Sequence, residues 1–64
     1  MKTYTLEELR KKNRLTQNQV GVYLGVSRQA VQQFEKGESN PKLSTIKKIL
    51  KLYKVKFEQI DWLD

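Results

Sequence analysis

Apolar residues recur along the chain at spacings of three and four, and no strict apolar/polar alternation persists, so the pattern predicts helices joined by short turns. Thr5 and Glu8 stand at capping-box spacing, and acidic Glu7 and Glu8 followed by basic Arg10, Lys11 and Lys12 suit a helix macrodipole. These residues predict a first helix over about Thr5 to Asn13. Thr16 and Gln19 repeat the box, Val20 and Leu24 share a face, and Gly25 suits the left-handed position that ends a second helix. Ser27 is a favourable N-cap for a third helix over Arg28 to Lys36, closed by Gly37. Glu38 to Lys42 form a loop that contains Pro41. A fourth helix then carries Leu43, Ile46, Leu50 and Tyr53 on one face, with Ile49 at its edge. Lys42 stands where a small polar cap is usual, and Ser44 is the nearest substitute. A last short helix is predicted over Phe57 to Leu63. The expected fold class is all-α, a compact bundle of four to five short helices forming one domain over residues 1–64.

Helix three has two unlike sides. At about 100° per residue from Ala30, Val31 and Phe34 lie at roughly 100° and 40°, while Arg28, Gln32, Lys36, Gln29 and Gln33 spread from roughly 160° to 300°. The outward arc therefore holds arginine, lysine and glutamine but no carboxylate, whereas an ordinary solvated face favours mixed Glu and Lys. Arginine can donate two hydrogen bonds to guanine O6 and N7, and glutamine can pair with adenine N6 and N7. Each such pairing gives about 1–3 kcal/mol of base discrimination. Just upstream, Gly21 interrupts a helix, where glycine costs about 1 kcal/mol relative to alanine, so a close approach of two helices is expected there. Val20, Leu24, Val26, Val31 and Phe34 would fill that joint.

Composition narrows the candidate chemistry. Thirteen Lys and Arg against seven Asp and Glu give a net charge of +6, which points to a polyanionic partner. Nucleic acid leads, a membrane surface comes second and a merely solvated surface third. The chain has no cysteine and no histidine, which excludes disulfides, thiolate chemistry and Cys/His zinc sites; no metal or cofactor is expected. Without a histidine, cysteine or serine triad, and with its acids scattered, the chain does not read as an enzyme. No apolar run approaches the roughly 20 residues that cross a bilayer, and no secretory leader opens the sequence, so a cytoplasmic protein without a membrane partner is expected.

From about Leu9 to Trp62 the chain resembles the helix-turn-helix family of phage repressors and Cro proteins. The matching string is Leu15-Thr16-Gln17, a small residue at Gly21, Leu24-Gly25-Val26-Ser27, Val31, Phe34-Glu35-Lys36-Gly37, a loop with Pro41, and Leu43 opening helix four. The resemblance implies a lambda repressor-like domain that binds a double-stranded DNA operator as a transcriptional regulator, either a repressor or Cro-like. The helix after the turn would enter the major groove while the one before it crosses the backbone. Carried over by position, Arg28, Gln29, Gln32 and Gln33 are base-reading candidates. Thr16, Gln17, Lys36, Ser39, Asn40 and Lys42 are phosphate-binding candidates. Arg10 and Glu35 match positions that form a salt bridge in some relatives, and Glu35, at about 140° on helix three, falls at the border of the buried face. Partial burial of this pair is expected.

Three features depart from the pattern. Glu38 would repel phosphate, and Lys56 replaces the small residue usual before the last helix. Phe57, Ile60, Trp62 and Leu63 supply more apolar surface than one short helix needs. That surplus suits a homodimer contact through the C-terminal segment or a partner regulator protein. The competing functional class is a protein-interaction module of the same fold, an antirepressor or antitoxin acting on another regulator. Lys47, Lys48, Lys51 and Lys54 lie off the apolar face of helix four and read as a solvated face.

Overall fold

The short-range signals that start and stop each helix define the architecture of the computed structural model, which describes residues 2–62. Helix α1 spans Leu6–Lys12, α2 Gln17–Leu24, α3 Arg28–Lys36 and α4 Leu43–Tyr53. A 3-10 turn at Phe57–Gln59 follows, and two short strands, β1 (Tyr4–Thr5) and β2 (Ile60–Asp61), pair in parallel with Tyr4 opposite Ile60.

Both predicted capping boxes form. The Glu8 N–H donates to Thr5 Oγ1 at 3.1 Å and the Thr5 N–H to Glu8 Oε1 at 3.0 Å; this backbone bond draws the Glu8 pKa below its ordinary value. Gln19 and Thr16 exchange the equivalent bonds at 3.1 and 2.8 Å, and Ser27 Oγ accepts from the Ala30 N–H at 3.0 Å. After each α-helix the chain passes through a left-handed residue: Arg14 (φ 57°), Gly25 (74°), Gly37 (74°) and Lys54 (55°). The N–H of the next residue then reaches back into the helix, from Leu15 to Arg10 O, Val26 to Gly21 O, Glu38 to Gln33 O and Val55 to Leu50 O, at 2.9–3.2 Å.

Leu6, Leu9, Val20, Leu24, Val31, Ile49, Tyr53 and Ile60 form the buried core. Tyr4, Leu15, Val26, Phe34, Leu50, Leu52, Val55 and Trp62 pack around it half-buried. Every α-helix therefore sends at least one side chain to a common centre, the arrangement that gives a small chain its single core.

Two expectations are corrected, and one small element is added. Tyr53 is buried as expected, but Ile49, expected at the edge of the face, is its centre at 1% exposed, while Leu43 is 69% exposed; the buried row of α4 is Thr45, Ile49 and Tyr53. Those three residues stand four apart and share a face, but α4 is apolar over so wide an arc that periodicity alone does not select it. The predicted last helix over Phe57 to Leu63 is a 3-10 turn running into β2, while Leu63 lies outside the described residues. The small parallel strand pair itself has no alternating signature, because two residues per strand are too few to show one.

Candidate nucleic-acid interface

One glycine lets the turn between α2 and α3 pack closely against α2. A Cβ placed on Gly21 would lie 2.8 Å from Val26 O, closer than a side-chain carbon can sit against backbone, and 3.4 Å from Arg28 N, in van der Waals contact. The turn from Gly25 to Ser27 therefore packs directly onto α2, and Val20, Leu24 and Val31 close the joint from the core side. This is the packing role that compensates for a glycine inside a helix.

With Val31 and Glu35 turned inward, Arg28, Gln29, Gln32, Gln33 and Lys36 of α3 are all exposed. Glu35 is the helix's own carboxylate, and its burial leaves the outward face without negative charge. Arg28 links two surface hollows. One is shared with Ser27, Gln29 and Gln32; the other, an open groove, is shared with Thr16, Gln17 and Asn18 at the start of α2. On the far side of α3, Ser39, Asn40 and Lys42 line a groove with Ala30 and Phe34. The candidates thus fall into one outward row on α3 and two flanks, with Gln33 and Lys36 exposed further along the same helix.

Asn18 escaped the sequence reading. It is exposed beside Gln17 in the first turn of α2 and lines the groove with Arg28. Its signal was position alone: an early residue of a helix whose first N–H groups lack intrahelical partners.

Behind this surface lies a buried ionic network. Arg10 Nε donates to Glu35 Oε2 at 2.7 Å and Nη2 to Glu35 Oε1 at 3.3 Å, while Nη1 donates to Leu15 O at 3.0 Å. The two side chains are 12% and 6% exposed. The hydrogen bond to Glu35 raises the Arg10 pKa, and burial opposes it. Gln17 Nε2 adds a further donor to Glu35 Oε1 at 3.2 Å. A single carboxylate on α3 is thereby fastened to α1, to the α1–α2 turn and to the first residue of α2.

These features are those of a helix-turn-helix unit, and residues 6–60 match the helix-turn-helix family model; the chain belongs to that family. It is 41% identical over 56 residues to the uncharacterized HTH-type transcriptional regulator RghRB of Bacillus subtilis (strain 168), covering 86% of this chain and 40% of that one. It is 37% identical over 59 residues to the uncharacterized HTH-type transcriptional regulator YgzD of the same organism, covering 92% of this chain and 89% of the relative. The chain therefore spans two fifths of the length of the first relative and most of the second. No solved structure is a significant match. Among the described residues no helix is long and apolar enough to cross a membrane.

Proposed function

We propose that this chain is a sequence-specific double-stranded DNA-binding regulator of transcription that reads the major groove with α3. The observation that carries the reading is the exposed, carboxylate-free row of Arg28, Gln29, Gln32 and Gln33 on a helix whose opposite side is buried. Bidentate donors and amides on a protruding helix match the hydrogen-bond code of base edges. Thr16 and Gln17 on one flank, Ser39, Asn40 and Lys42 on the other, and Lys36 at the end of α3 supply the hydrogen bonds and charge that fix a duplex in register. Relatives named as transcriptional regulators support the same reading.

Selection from a random duplex pool tests it. A recovered consensus should bind at least about 10³-fold more tightly than a scrambled duplex. Gln29→Ala should relax preference at one position while leaving the salt dependence unchanged. Equal affinity for the two duplexes rejects sequence reading. Exposed Phe57, stacked against Trp62 with ring centroids 5.3 Å apart, favours a companion role for the C-terminal segment as a homodimer contact. A dimer would place two copies of α3 about one DNA turn apart and give a palindromic consensus. The exposed Phe57 ring also favours a second reading, in which the fold binds a partner regulator protein as an antirepressor or antitoxin.

A further inference from the structure

The buried ion pair does more than hold α1 to α3. Glu35 Oε1 accepts from Gln17 Nε2 at 3.2 Å. A carboxylate carries no hydrogen to give, so the amide nitrogen of Gln17, and not its oxygen, must face inward. That contact fixes which way round the Gln17 amide stands. Its nitrogen has two hydrogens and Glu35 takes one; the half-buried Gln17 lines the open groove with Thr16, Asn18 and Arg28, and with Glu7, whose charge is offset by Lys11 at 3.2 Å. The first backbone N–H groups of α2, which have no acceptor within their own helix, lie at the same place.

We propose that Glu35, clamped by Arg10, is a positioning residue for Gln17: it turns the Gln17 amide so that its free N–H points at a phosphate oxygen seated in the groove. The inference rests on the DNA-binding reading above and specifies how one of its phosphate contacts is prepared before the duplex arrives. Gln17 is neutral, so the contact releases no extra counterion. Its loss lowers affinity for every sequence alike without changing the salt slope.

Glu35→Gln separates positioning from bulk stability. The substituted amide has a single acceptor oxygen, which Arg10 Nε claims, and its new nitrogen confronts the nitrogen of Gln17, donor against donor. In the free protein, the Gln17 side-chain amide should show a high heteronuclear NOE in the parent and lose it, with a shifted resonance, in Glu35→Gln. Duplex affinity, measured well below the thermal midpoint of each variant, should fall about tenfold for Gln17→Ala, the equivalent of one hydrogen bond to a charged group. It should fall by a similar factor for Glu35→Gln and no further for the double variant.

If Glu35→Gln does not fold, Gln17→Asn serves instead. It keeps the amide but is one methylene too short to reach Glu35, and it should bind as weakly as Gln17→Ala. A Gln17 amide signal that is the same in parent and variant, or affinity losses that multiply in the double variant, would overturn the proposal. So would parent-like binding by Gln17→Asn. A chain that binds no duplex refutes the DNA reading instead, and the NOE comparison then still decides whether Glu35 orders Gln17.

Discussion

The segment from Thr16 to Gly37 and the segment from Lys42 to Trp62 are built to different standards. In the first, each helix terminus has a residue suited to it: Thr16 with Gln19, Gly25, Ser27 and Gly37. In the second, Lys42 caps α4 without any side-chain hydrogen bond, and Lys54 adopts a left-handed conformation that L-residues resist. The final residues settle for a 3-10 turn and a two-residue strand. The difference teaches that the ends of α2 and α3 are each specified by a residue suited to them, whereas those of α4 are not. α4 and the residues after it cover the core with looser ends.

Breaking the buried ion pair should have the largest effect. Arg10→Met strands the Glu35 carboxylate and should cost about 3–5 kcal/mol, because an unpaired buried charge loses its solvation without compensation. Calorimetry should register this as about 4–8 °C of thermal midpoint per kcal/mol at this chain length. A midpoint equal to the parent's would place the pair in effectively solvated surroundings.

Next in size is Gly21→Ala. Its methyl meets a backbone carbonyl, not a flexible side chain, so the turn must move, at a cost of about 1–3 kcal/mol. Thermal unfolding should show that loss. Amide shift changes should centre on Val26 to Arg28, the residues nearest the added carbon.

The looser segment invites improvement. Lys54→Gly removes the left-handed penalty of about 1–2 kcal/mol, partly offset by the entropy glycine loses on folding, for a net gain of about 1 kcal/mol. A raised thermal midpoint is the expected result. The same substitution logic does not apply at Gly25, where the favoured residue is already present.

The smallest effect is confined to alkaline pH. Burial first, and the Glu35 carboxylate second, push the Tyr53 phenol up to about 12, while Arg10 pulls it down. The fold therefore favours the neutral phenol. The resulting stability is fully present below about 10, the ordinary tyrosine value, and is lost as pH climbs through about 12. Thermal midpoints of the parent should fall across that window more steeply than those of Tyr53→Phe.

Much of the fold was legible because its decisive signals are local. Ser27 and Gly37 bracket α3 within nine helical residues, and the arithmetic of a 3.6-residue turn sets Gln32 against Val31 without knowledge of any neighbour. The orientation of α4 was not legible. Leu43, Ile46, Ile49, Leu50, Leu52 and Tyr53 make about half of the helix circumference apolar, and within that arc the position of the other helices selects Ile49. At the candidate site, the exposure of Arg28 and Gln29 followed from the helical period. The bond from Gln17 to Glu35 did not, since it spans 18 residues and joins two side chains that no spacing rule relates.

The parallel pairing of Tyr4 with Ile60 has a practical corollary. It stitches the beginning of the described chain to its end, so the molecule is closed upon itself like a clasped bracelet. Ile60, a buried core residue, depends for its seat on a segment more than fifty positions upstream. Trimming either extremity as though it were a dispensable tail would unfasten the opposite one as well.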